Sequence, residues 1–231
     1  MHILRGIAMK IGRLIFASAA VLALSIVASA TNAATITIGL QESGFNGGAI
    51  TTVASGIDFV NFTGSYGSFT NNSVSGSSDT LNGALLGTTA LDVSSTTSGT
   101  LIIYVTAQNI AAPIGTLGFL SSLTSNLLPN GWNVTESTFI SAANSLFTGS
   151  QLASHSFTTT GTFETINFAS TGALYSVTEK YTIFATKAGQ ALSTASISAV
   201  PGPVLGAGLP GLILACGGLL ALARRRRHAA V

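Results

Sequence analysis

From Thr35 to Ser198 the chain runs in short stretches of Thr, Val, Ile, Phe and Tyr, each broken by Gly, Ser or Asn. This pattern limits the fold more than any other feature. β-Branched and aromatic side chains fit a pleated, half-buried surface, and the breaks supply turns. Many short strands at even spacing predict an all-β domain, an antiparallel β-sandwich of jelly-roll-like form. Strands are expected over 35–40, 49–54, 57–63, 67–74, 90–94, 100–107, 132–138, 152–158, 162–168, 174–186 and 191–198.

The clearest strand is LYSVTEKYTIFAT. Tyr175, Val177, Tyr181 and Ile183 alternate with Ser176, Thr178, Lys180 and Thr182, the period of two expected for a half-buried strand. Glu179 interrupts the apolar face. The expectation is a strand end or bulge that lets its carboxylate reach water; the alternative is a buried functional acid. LIIYVTAQ (101–108) is apolar on both faces and reads as a central strand. Residues 119–129 fit either a strand or a short helical turn. Residues 137–147 show near-helical spacing of Phe139, Ile140, Ala143 and Leu146 and predict one or two helical turns. The Gly/Ser/Asn-rich stretch 64–83 predicts a long hairpin with a mobile tip.

The two ends follow different rules. Residues 1–34 pair a basic start (Arg5, Lys10, Arg13) with an apolar run, Leu14–Val27, and the small residues Ala28 and Ala30. This is the layout of a secretory signal peptide with a helical apolar core. Cleavage after Ala30 fits the small-x-small rule, and Ala33 and Ala34 are alternatives. Residues 200–231 open on Val200, Pro201, Gly202 and Pro203, continue in an apolar run Val204–Ala223, and close on Arg224, Arg225, Arg226 and Arg227. At about 1.5 Å per residue, the run is long enough for a transmembrane helix across the roughly 30 Å hydrocarbon core of a bilayer. The arginines mark the cytoplasmic side and place the domain at 35–199 outside.

Charge reinforces this division. The formal net charge is +2, yet the basic residues cluster at the ends. The body sets Lys180 and Lys187 against seven acids, which leaves −5, and it contains no arginine. Nucleic-acid binding, which needs several Lys/Arg–phosphate contacts, is excluded as a partner class. The one cysteine, Cys216, lies in the C-terminal apolar run, so no disulfide forms within the body.

No familiar catalytic constellation emerges. His155 is the body's single histidine and is expected on the surface beside serines rather than as a base. One histidine without cysteine cannot build a zinc site. Asp79 and Asn82 could offer calcium two oxygens, but a loop Asp satisfying its own backbone is the simpler reading. No cofactor is expected. Trp132 is assigned to packing rather than to sugar stacking. Asn61, Asn71 and Asn133 begin sequon matches.

The order of proline motif, Gly-rich apolar segment and terminal arginines, in a chain with a leader, resembles the PEP-CTERM sorting signal of Gram-negative bacteria. Val200-Pro201-Gly202-Pro203 stands where that family usually has Val-Pro-Glu-Pro, with Gly202 replacing the glutamate. The resemblance covers about the last thirty residues. It implies export machinery and signal peptidase as partners, an exosortase-like membrane enzyme acting at the tail, and a link to exopolysaccharide and biofilm. The expected product is an exported cell-surface or matrix protein, non-enzymatic, structural or adhesive, and in contact with polysaccharide. Two alternatives stand beside it: a carbohydrate-active hydrolase or lyase using paired carboxylates such as Asp58 and Asp92, and a single-span surface protein that keeps its tail.

Overall fold

The computed structural model describes residues 33–200. Twelve strands follow in chain order: β1 (Thr35–Glu42), β2 (Thr51–Ile57), β3 (Phe59–Tyr66), β4 (Phe69–Asp79), β5 (Ala84–Ser95), β6 (Gly99–Ile110), β7 (Thr116–Leu127), β8 (Asn133–Ser141), β9 (Ser150–Phe157), β10 (Gly161–Ser170), β11 (Tyr175–Ala185) and β12 (Gly189–Val200). They form two six-stranded antiparallel sheets, ordered β2-β1-β6-β11-β8-β9 and β10-β7-β12-β5-β4-β3. The expected sandwich is therefore present.

Its winding follows from nested pairing. β5 lies beside β12, β6 beside β11, β7 beside β10 and β8 beside β9, with alternate pairs in opposite sheets. A long antiparallel ribbon wrapped over itself in this way is a jelly roll. β1–β2 and β3–β4 extend the two sheets at the same side. β6 and β11 are central, as the two-faced apolarity of 101–108 predicts.

The core comes from the inner faces. Ile36, Ile38, Leu101, Ile103, Val105, Val177 and Ile183 of the first sheet face Val74, Leu86, Leu91, Phe119, Leu123 and Ile197 of the second, all essentially without solvent exposure. Burial of this kind stabilises by roughly 25 cal/mol per Å² of apolar surface. Trp132 is buried, and its indole Nε1 donates to the Lys187 carbonyl at 3.1 Å, which supports the packing role.

Three local expectations change. The helix expected over 137–147 does not form; Ser137–Ser141 complete β8. There the inward alternation Val134, Glu136, Thr138, Ile140, paired on both sides by β11 and β9, outweighs the weak helical spacing. The ambiguous segment after Phe119 is strand β7. The hairpin tip at Gly67–Ser68 is tied down: the buried Glu42 carboxylate accepts from the Ser68 amide at 3.0 Å and from its hydroxyl at 2.5 Å.

The expected leader with Ala28 and Ala30, the motif residues Pro201, Gly202 and Pro203, and the arginines Arg224–Arg227 lie outside the described residues. Val200 is the last residue of β12. Among the described residues, no helix is long and apolar enough to cross a membrane.

Candidate functional site

Two carboxyls meet inside the sandwich. Glu179 is on β11 at mid-strand, Glu136 is on β8, and both are fully buried. Register places Tyr181 opposite Glu136, and Glu179 opposite Thr138, so the acids are diagonal neighbours on the inner face of the first sheet. The expectation that Glu179 reaches solvent at a strand end or bulge is overturned. Period-two alternation holds through the middle of β11, and it drives residue 179 inward whatever its chemistry.

Buried acids need partners, and the opposite sheet supplies some. The Thr88 hydroxyl of β5 donates to Glu179 Oε2, and the Tyr181 hydroxyl approaches the same oxygen at 3.4 Å. The Thr124 amide of β7 donates to Glu136 Oε2 at 3.1 Å. Ser193 of β12 lies beside Glu136 without closing a full hydrogen bond. Ser121 and Thr138 share a bond of 2.7 Å nearby. Oε1 of each glutamate remains without a partner, as does the Ser125 hydroxyl. Desolvation dominates the balance. It pushes Glu136 up to about 7 and, helped by the charge of Glu136, Glu179 up to about 8, against hydrogen bonds that pull both down.

The second sheet is irregular over this pair. β5 carries a bulge against β12 between Leu91 and Thr88, and β7 carries one against β12 between Leu127 and Ser125. Both irregularities lie beside residues that bond the acids, Thr88 and Thr124. On the outer side lies an open depression of about 330 Å³, lined by Gly87, Thr88, Thr89, Ser122, Thr124, Thr194, Ala195 and Ser196. Thr88 and Thr124 belong to both levels: they line the depression and bond the acids beneath. Five hydroxyls face the depression, since that of Thr88 is turned inward onto Glu179. Ser122 already donates to the Glu164 carboxylate of β10 at 2.9 Å. The lining side chains themselves carry no charge, which suits ligands that are neutral and rich in hydroxyls.

The other singled-out residues fall elsewhere. His155 is not on the outer face with Ser154 and Ser156; it stands opposite Glu136 on the inner face of edge strand β9. It stacks on Phe163 (4.5 Å, 9°) and meets Phe157 edge-on (4.6 Å), closing the side of the sandwich. The alternation predicted there is right, but the face is wrong, because Phe157 sets the inward phase. Asp58, at φ 59, forms the one-residue turn between β2 and β3 and accepts the Ala34 amide at 3.0 Å. Asp92 sits near the other end of the sandwich, held by Asn72 (2.9 Å) and Gln190 (2.7 Å). The pair offered for hydrolysis is therefore split between opposite ends. Asp79 caps its own turn, accepting from the Asn82 amide at 3.3 Å and side chain at 2.5 Å. Among the described residues, no group of three or more metal-ligating side chains gathers.

The pairing of Glu136 with Glu179 is not legible in the sequence. The expected strand 132–138 puts Glu136 in phase with Trp132 and Val134, and the apolar phase of β11 puts Glu179 inward, but that β8 and β11 are neighbours is set by the fold.

No family model matches the chain, and no curated protein matches it. Among solved structures, TmCBM61 in complex with β-1,4-galactotriose is similar over 54% of this chain and 77% of its own, at 10% identity and a TM-score of 0.28.

Proposed function

We propose that this chain is an exported surface protein, delivered by its leader and sorted through its PEP-CTERM-like tail, whose sandwich contacts neutral polysaccharide in a structural or adhesive role. The observation that carries the reading is the hydroxyl-lined depression on the second sheet, whose own lining side chains are uncharged. Its Ser and Thr side chains exchange hydrogen bonds with sugar hydroxyls without the desolvation penalty of a charged group. No aromatic platform lines it, so single-site affinity is low and binding depends on many copies along a polymer. The membrane, through residues 204–223, holds the protein at least until the tail is processed.

Two measurements test the reading. Co-sedimentation of the full chain with the producing cell's own polysaccharide is expected to show retention that falls when Thr194 and Ser196 are replaced by Val. Retention unaffected by those changes, or none at all, removes the depression as the contact. Intact mass of the envelope and released protein is expected to end near Pro203; a mass that retains Arg224–Arg227 in every fraction means a permanent anchor.

A further inference from the structure

The most exposed apolar side chains of the sandwich lean toward one end, while Phe184 (48%), Leu127 and Phe45 are exposed to a lesser degree at the other. Ile57 (70% exposed), Phe59 (58%), Ile114 (61%), Ile166 (50%) and Phe168 (77%) are the large hydrophobic residues at least half exposed among the described residues. Ile57 and Phe59 flank the β2–β3 turn, and Ile114 and Phe168 lie by the β6–β7 and β10–β11 connections, all at one end but toward opposite edges of the sheets. Ile166 lies two residues further into β10. β2 finishes at Ile57, β3 begins at Phe59, β7 begins just after Ile114, and β10 closes past Phe168. Strand register ties this end together: Phe168 pairs with Gly118, and Gly118 with Val200.

The same end carries both termini of the domain. The Ala34 amide donates to Asp58 Oδ1, the Ser78 amide to the Asp58 carbonyl at 3.0 Å, and the Ala199 amide to the Gly83 carbonyl at 3.1 Å. The charges described there are Asp58 and Asp79, each occupied by neighbouring N–H groups. Lys180 and Lys187 lie in mid-strand and at the opposite end. The apolar side chains thus form two groups at opposite edges of this end, with β12 and its exit at Val200 between them, and exposed apolar groups of this kind mark interaction surfaces.

We infer that this end of the sandwich rests on the bilayer that holds the C-terminal segment, with Phe168, Ile57 and Phe59 seated in the interfacial region. The inference rests on the membrane reading proposed above. The chain leaves β12 at Val200, and three residues, Pro201–Pro203, separate it from the apolar run that begins at Val204. Three residues reach at most about 11 Å, less than the depth of the headgroup and interfacial zone plus the width of the domain end. An apolar end tethered so closely has the membrane as its nearest apolar solvent. Because no lysine among the described residues accompanies the hydrophobic residues there, the contact does not depend on anionic lipid or on low salt.

The test uses the full chain reconstituted in phosphatidylcholine vesicles, with and without lipid brominated near the top of the acyl chain. Phe168→Trp reports the proximal end, and Phe184→Trp, on the outer face at the far end of β11, is the control; Trp132 gives the buried background in both. The expected result is a blue-shifted emission from the indole introduced by Phe168→Trp, largely abolished by brominated lipid and unchanged by salt, while emission from the Phe184→Trp control is unaffected. Vesicle flotation in which the Phe168→Trp emission stays water-like and unquenched overturns the inference and leaves the anchored tail standing. Failure to float removes the anchor and the inference together. A blue shift without bromine quenching means that a second copy or the chain's own tail covers the end, and also overturns it. Should Phe168→Trp fail to fold by circular dichroism, Ile57→Trp makes the same measurement from the opposite edge of the same end.

Discussion

Raising the pH should unfold this protein from the inside. Glu179 and Glu136 ordinarily ionise near 4.5, but burial moves them to about 8 and about 7 in the folded chain. Between those limits the folded state binds more protons than the unfolded state, so stability is fully present below pH 4.5 and is lost as pH rises through 7 and 8. At about 1.4 kcal/mol for each pH unit separating folded and unfolded values, Glu179 accounts for about 5 kcal/mol and Glu136 for about 3. These are upper bounds, since relaxation and water entry relieve part of the cost of a buried charge. Even half of that sum is a large share of a domain stability of roughly 5–15 kcal/mol. The assay is urea unfolding of the full chain in mild detergent at steps from about pH 5 to 9, followed by emission from the single, buried Trp132. Glu179→Gln retains an oxygen for the Thr88 and Tyr181 hydroxyls and cannot ionise. It should remove most of the slope above pH 7, whereas Glu136→Gln flattens chiefly the range below it. The double variant reports what the remaining groups contribute. A midpoint flat or rising between about pH 6 and 9, or a Glu179→Gln variant with the parental slope, refutes the reasoning.

Other perturbations follow from single contacts. Thr88→Val removes the hydroxyl that donates to Glu179 and should cost about 1–3 kcal/mol near pH 7. Losing a bond that favours the carboxylate raises the folded ionisation further, so the decline in stability should extend to higher pH; urea midpoints from about pH 6 to 9 check both. Gly39→Ala places a Cβ 2.6 Å from Phe147 Cζ and should destabilise by about 1–3 kcal/mol, read as a lowered thermal midpoint. Gly67→Ala combines φ 57 with a Cβ that collides with the Glu42 carboxylate. It should detach the β3–β4 turn, raising amide exchange at Ser68 ahead of the rest of the domain.

The class of the fold is local information. Period-two alternation with Gly/Ser/Asn breaks needs no tertiary contact to be recognised, because inward and outward phase is a property of each strand. That is why β1, β6, β11 and β12 are legible close to their true bounds, and why the division of charge between ends and body can be drawn from the residues alone. Helical spacing over 137–147 is the weaker of two local signals, and pairing to β11 and β9 on both sides decides against it. The sheet order, the bulges over the carboxyls and the depression above them depend on contacts between residues far apart in sequence, such as Thr88 with Glu179, and no local pattern encodes those. Nor does composition show that Ile57, Ile114 and Phe168, from three separate turns and strands, share one end with Val200. Antiparallel topology alone collects them there, since every second chain reversal falls at the same end of the sandwich.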